Sequence, residues 1–221
     1  MAQYTLVIGN KNYSSWSLRA WLAMKQAGIV FDEVRVLLFE DGYKAKIEQY
    51  SPAGKVPVLV AGNITIWESL AICEFLAERH PEKRLWPADS AARAQARAIC
   101  AEMHAGFSAL RNAMPMNIRS SHPGKGMTPE AKRDIERITA MWEQCRKNYG
   151  QGGELLFGHF TAADAWYAPV VSRFQTYAVK LPPVAQAYAG AVLRLSAMRE
   201  WMTAARQETE FVAEDEPYAT R

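Results

Sequence analysis

The sequence predicts a small mixed α/β domain over residues 1–81, a linker at 82–90 and an all-helical domain over 91–221. Three observations lead there. Short β-prone runs alternate with helix-period segments only before residue 81. The stretch EKRLWPADS then brings charge and proline together. Beyond it, apolar residues recur at helical spacing between breaks marked by glycine, proline and capping residues.

Residues 4–8 (YTLVI) are aromatic and β-branched and predict a first strand, followed by a polar loop at 9–13. SSWSLRAWLAMKQAG places Leu18, Trp21 and Leu22 at helical spacing, with Gly28 as the stop and Ser14 and Ser15 at the mouth. Residues 31–37 predict a second strand, Val34 and Val36 alternating with Glu33 and Arg35. An irregular or weakly helical crossover at 41–50 leads to two short runs, Val58-Leu59-Val60 and 64–67, around a Gly62-Asn63 hairpin turn. Ser69 then opens the helix-period segment LAICEFLAERH. The order is β-α-β, crossover, β-β-α, a mixed sheet of the thioredoxin type.

In the second domain Asp89 or Ser90 caps a helix running to about residue 111. A loop at 120–127 precedes Thr128-Pro129, a cap followed by proline at the first helical position. That helix runs to Tyr149 and is closed by Gly150, Gly152 and Gly153. Thr161 and Asp164 form a capping signature, which makes Asp164 a structural cap rather than a reacting group. Two further helices follow, broken by Pro182-Pro183 and by Gly190, and the polar tail from Glu208 is expected to be loosely held.

With 49% hydrophobic residues the chain has material for a sizeable core. A net charge of +3 with no Lys/Arg run longer than two gives nucleic-acid binding no support. The three cysteines, Cys73, Cys100 and Cys145, lie far apart with neither CxxC nor metal-ligand spacing. They read as buried free thiols in a reducing cytoplasm, with no metal. The start MAQYTLVIGN lacks the charged and apolar regions of a leader, and no apolar run reaches the ~20 residues of a membrane helix. A soluble cytoplasmic protein is expected.

The chemistry concentrates in residues 51–69, SPAGKVPVLVAGNITIWES. Val56-Pro57 precedes a strand, where a cis bond would turn the Val56 N–H and C=O outward to pair with an extended peptide. The Ser69 hydroxyl and the free N–H groups beside it suit a carboxylate, and Glu68 suits an ammonium group. A short peptide with an α-amino-acid end matches all three features. A plain hairpin with a capped helix is the alternative.

This arrangement resembles the glutathione-binding half of the glutathione transferase family, where the Val-Pro step pairs with the cysteinyl backbone and the Glu-Ser step takes the γ-glutamyl end. LWP-x-D at the linker and T-x-A-D before a helix are also similar to that family, so the resemblance covers nearly the whole chain. It implies a thioredoxin-like domain joined to an all-α domain, glutathione as co-substrate, and a two-fold homodimer. Lys55 is then suited to the glycyl carboxylate, with a solvated surface lysine as the alternative.

Thioredoxin-type redox proteins carry a cysteine at the first helix mouth; here the position reads NYSSWSLR, which argues against disulfide exchange. A serine hydroxyl and a helix N-terminus can instead stabilise a bound thiolate. The string SSWSLR is similar to the S-S-C-S-x-R motif of the zeta class, best known for maleylacetoacetate isomerisation. That resemblance implies Ser14 as the catalytic serine and Ser15 as its neighbour, with Trp16 where the motif has cysteine. The alternatives are that both serines only cap the helix, Ser15 being the better placed to do so, or that Tyr13 or Tyr4 activates the thiol. On the electrophile side, His104, Phe107 and Arg111 fall at i, i+3 and i+7 of the expected long helix, and Arg173 could meet an acidic substrate. The implied function is a glutathione transferase acting on a small electrophile. A glutathione-dependent cis–trans isomerase and a non-catalytic binding module are the other readings.

Overall fold

The computed structural model describes residues 3–219; residues 1–2 and 220–221 of the expected domains lie outside that range. Strands β1 (Tyr4–Ile8), β2 (Asp32–Arg35), β3 (Val58–Ala61) and β4 (Ile64–Trp67) form one sheet in the order β2-β1-β3-β4. β1 and β2 are parallel, and the other neighbours are antiparallel. A parallel pair needs a crossover, and helix α1 (Ser15–Gln26) supplies it. Strand alternation then sorts the core. Leu6 and Ile8 face α1 and helix α3 (Ser69–Arg79), whereas Val7 turns to the other face with Val36, Ile47 and Val58. Ile47 belongs to a short helix, α2 (Tyr43–Glu48), where a weakly helical crossover was expected.

The hairpin falls where its residues predict, with Ala61 paired to Ile64 across Gly62-Asn63 and Gly62 at φ +62°. β2 is shorter than expected. The Val36 N–H still reaches Ile8 O at 2.8 Å, but the Asn10 side chain then takes the Leu38 N–H at 2.8 Å and ends the pairing.

After a 3₁₀ turn at Pro81–Lys83 come α4 (Ser90–Ala105), α5 (Ser108–Ala113), α6 (Pro129–Tyr149), α7 (Ala162–Thr176), α8 (Pro183–Arg194) and α9 (Ser196–Gln207). Asp89 caps α4 by accepting the Ala92 N–H at 2.8 Å, and Thr128 caps α6 by accepting that of Ala131 at 3.1 Å. α7 packs against α1, α4 and α8 and is buried along nearly its whole length, so it joins the two halves. Its start is a capping box: Asp164, fully buried, accepts the Thr161 N–H at 2.8 Å and the Leu156 N–H at 3.2 Å.

Three expectations need correction. The helix from Ser90 does not continue to residue 111, because Gly106 is extended and Phe107 left-handed at φ +55°. A Cβ on Gly106 would lie 2.8 Å from the Glu102 carbonyl, so the chain leaves α4 where only glycine fits. Gly190, conversely, sits inside α8, and the break comes at Leu195, which is extended. An interior glycine costs only ~1 kcal/mol, which packing against α6 and α7 overrides.

The tail is the third. Glu208 and Glu216 are buried, and the Glu208 carboxylate accepts N–H groups from Lys11 at 2.7 Å and Asn12 at 2.9 Å and pairs with Arg35 at 2.6 Å. Arg119 adds bonds to the Glu208 and Glu210 carbonyls and pairs with Glu216 at 3.0 Å. Buried ionic contacts hold a segment that looks merely polar in sequence.

Candidate functional site

A cavity of about 600 Å³ opens between the C-terminal end of β1, the 55–69 stretch and the helical region. Ser14, Ser15, Val56 and Pro57 line it, with Lys55 at its exposed rim and Glu68 and Ser69 at the start of α3. The Val56-Pro57 bond is cis. Glu68 holds φ +68° at the helix cap, its side chain about half exposed, while the Ser69 hydroxyl is buried without a partner among the described residues. A buried hydroxyl left unmatched at a helix start is suited to an incoming acceptor.

The serine pair is arranged differently from the sequence expectation. Ser14, not Ser15, caps α1: its Oγ accepts the Ser17 N–H at 3.3 Å and lies 2.7 Å from Ser17 Oγ. Ser17 Oγ in turn accepts the Gly9 N–H at 3.0 Å. Ser14 thus accepts the Ser17 N–H and donates its own O–H to Ser17 Oγ, while the residue lines the cavity, so it would turn that hydroxyl from Ser17 to meet a bound thiolate. Ser15 Oγ instead accepts from Arg173 Nη2 at 3.4 Å. The reason is geometric: the chain enters the helix at Ser14, whose N–H is already taken by Asn10 O at 2.8 Å.

Neither tyrosine competes. The Tyr13 hydroxyl donates to Glu216 at 2.6 Å and receives Arg119 at 2.6 Å. Burial, reinforced by Glu216, pushes its phenol up to about 12. Tyr4 bonds His80 at 2.9 Å, away from the cavity.

On the helical side the break at Gly106 decides what faces the cavity. His104 and Arg111 line it, but Phe107 turns into the hydrophobic core and does not. The three residues therefore do not share one helical face. His104 Nε2 lies 3.5 Å from Glu68, and burial, with Arg19 and Arg111 nearby, shifts its pKa down, toward the neutral ring, against the pull of Glu68. The Arg111 guanidinium reaches the His104 and Gly106 carbonyls at 3.4 Å and lies 4.7 Å over the Trp16 ring. Arg173 is buried and donates to Met114 O at 2.8 Å; burial lowers it to about 10, where it stays charged.

Asp215, from the tail, also lines the cavity, and burial pushes its carboxyl up to about 6 against the pull of Arg173. Sequence reasoning missed it, because nothing in a polar tail signals a fold back of nearly the whole chain; Trp16, expected beside the serine pair, does line the cavity. The result is a cavity with an anion-accepting helix start on one side and guanidinium groups on the other.

The cysteines are buried free thiols. Among the described residues no three His, Cys, Asp or Glu side chains cluster as metal ligands, and no helix is long and apolar enough to cross a membrane.

Comparison with known proteins places these features in context. A model of the glutathione S-transferase N-terminal domain matches residues 13–79. A probable maleylacetoacetate isomerase of Caenorhabditis elegans is 31% identical over 173 residues, covering 76% of this chain and 78% of that one. A bacterial maleyl pyruvate isomerase, described as a zeta-class glutathione transferase, superposes with a TM-score of 0.71 at 22% identity, over 93% of this chain and 100% of that one. A Burkholderia glutathione transferase homologue with bound glutathione gives 0.70 at 22% identity, over 93% and 99%.

Proposed function

The chain belongs to the glutathione S-transferase family, and on that premise we propose that it binds glutathione in the 600 Å³ cavity and presents its thiolate to a small electrophile. Residues 1–81 would hold the peptide and residues 91–221 the electrophile. Glu68 meets the γ-glutamyl ammonium, Ser69 and the α3 N-terminus its carboxylate, the Val56 backbone the cysteinyl unit, and Lys55 the glycyl carboxylate. The thiol then lies beside Ser14 and Ser15. It loses its proton to solvent, and the thiolate attacks the electrophile carbon, displacing a leaving group or adding to an activated double bond.

A free thiol near pKa 8.5 is only a few per cent ionised at neutral pH; lowering it by ~2 units needs roughly 2.7 kcal/mol. One hydroxyl bond to the thiolate together with the α1 N-terminus is of that size. The observation that carries the reading is the convergence in one cavity of the Ser14 hydroxyl with the unmatched Ser69 hydroxyl beside Glu68. The protein would act as a cytoplasmic homodimer, in keeping with the family.

The test is titration of glutathione by calorimetry, with conjugation to 1-chloro-2,4-dinitrobenzene followed in parallel. Binding with a thiolate absorbance at neutral pH and measurable conjugation are expected; no binding at millimolar glutathione removes the reading. One observation favours a second reaction on the same site. Arg111 and Arg173 face the electrophile half, which suits an acidic substrate such as the cis-enoic acid named for the nematode relative. There the thiolate would add to the double bond, allow rotation and leave again, so a glutathione-dependent cis–trans isomerisation assay distinguishes the two.

A further inference from the structure

Arg19, the arginine of the SSWSLR string, is a buried charge. It lies on α1, is 1% exposed, and two of its nitrogens, Nε and Nη1, have no hydrogen-bond partner among the described residues. Its guanidinium sits 4.3 Å over the Trp16 ring and 5.6 Å from that of Trp166. Aromatic faces attract a cation without neutralising it.

The titratable groups around Arg19 supply no anion either. Arg111 from α5 and Arg173 from α7 repel it. Cys73 of α3, Cys100 of α4 and Tyr167 of α7 are held protonated by burial, and His104 of α4 is shifted toward its neutral form. Burial and the two arginines push Arg19 itself down to about 9, so it remains a cation at neutral pH. Three guanidinium groups thus share one region, and the carboxylates that line the adjoining cavity are Asp215, near Arg173, and Glu68, 3.5 Å from His104.

Arg19 also stands one helical turn from Ser15, on the same face of α1, about 6 Å along the axis. We propose that Arg19, which does not line the cavity, is an electrostatic positioning residue: its unpaired charge favours the ionised thiol beside Ser14 and Ser15, and the fold bears the cost of keeping it. This rests on the glutathione reading above and deepens it, because the missing counter-ion arrives as the substrate's thiolate. A buried charge without a partner weakens a fold, so its retention calls for such a role.

The test uses Arg19→Met and Arg19→Gln, with the absorbance of bound glutathione thiolate recorded against pH. Melting temperature and affinity for S-methylglutathione, which has no thiol to ionise, are measured beside it. Both variants should titrate about one pH unit higher than the wild type, the size of one partly screened unit charge. S-methylglutathione affinity should change less than about threefold, and the melting temperature should stay equal or rise. A merely structural arginine would lower the melting temperature and leave the titration unmoved. Wild-type titration in either folded variant, a tenfold loss of S-methylglutathione affinity, or failure of both variants to fold overturns the inference alone. A wild type that binds no glutathione sinks the functional reading and this inference with it.

Discussion

The Glu208 carboxylate accepts the Asn12 N–H at 2.9 Å across 196 residues of chain. Its other oxygen takes the Lys11 N–H at 2.7 Å and Arg35 Nη1 at 2.6 Å. The loop between β1 and α1, which ends at Ser14, is therefore held from behind by the C-terminal tail. Replacing Glu208 by alanine leaves two amide donors and a guanidinium without their acceptor. We expect a loss of ~2–3 kcal/mol, several degrees in melting temperature, with turnover reduced severalfold. Calorimetry and steady-state rates on Glu208→Ala check this, and an unchanged melting temperature would show that the tail holds nothing.

Ser14 carries two tasks that separate by pH. Ser14→Ala should cost ~1 kcal/mol of stability at every pH, since a cap is lost. It should also lower kcat by ~10- to 100-fold near neutral pH, a deficit that shrinks as pH approaches the free thiol's pKa. Ser15→Ala should affect rate less, because its Oγ accepts from Arg173 rather than from the helix. The readout is bound-thiolate absorbance against pH for both variants. If Ser15→Ala is shifted and Ser14→Ala is not, the activating hydroxyl is that of Ser15.

Glu68 and Ser69 make the ammonium and carboxylate ends of the proposed peptide site. Either alanine variant should weaken glutathione by at least ~1.5 kcal/mol, about tenfold, through loss of a charge-assisted or buried hydrogen bond. Because the Ser69 hydroxyl has no partner among the described residues, its removal should leave the fold's stability nearly unchanged. Isothermal titration together with thermal unfolding separates the two; glutathione affinity unchanged from the wild type in both variants would move the γ-glutamyl end elsewhere.

Asp164 supplies the pH-dependent test of the fold. Burial raises its carboxyl from 3.8 to about 6 in the folded state, against the hydrogen bonds from Thr161 and Leu156. The folded state then holds this proton more tightly than the unfolded chain. The contribution is fully present below about pH 4 and is lost as pH rises through about 6. The advantage of the wild type over Asp164→Asn, which cannot titrate, should shrink by up to about 3 kcal/mol across that window and then level off. Above it, Asp164→Ala should still cost ~1 kcal/mol or more from the broken capping box. A constant wild-type advantage from pH 4 to 7 would mean that the carboxyl is not shifted. Full stability with lost turnover would instead make Asp164 a functional group.

What could be read from residues alone was what neighbouring residues decide. The β1 strand, the Gly62-Asn63 hairpin, the caps at Asp89, Thr128 and Thr161, and the helix start at Ser69 each depend on a few adjacent side chains and amides. The peptide half of the candidate site was legible for the same reason, since Lys55, Val56, Glu68 and Ser69 belong to one short stretch. The other half was legible only in part. His104, Arg111 and Arg173 were singled out and line the cavity, but Phe107 was placed with them and Asp215 of the tail was not, because the turn at Gly106 shows only as a close approach to the Glu102 carbonyl. The tail's anchorage needs Glu208 to meet Lys11 and Asn12, and the isolation of the Arg19 charge depends on what α3, α4, α5 and α7 bring around it. Local propensity is set by adjacent atoms, whereas burial and the pairing of charges are set by whichever distant segments the folded chain brings together.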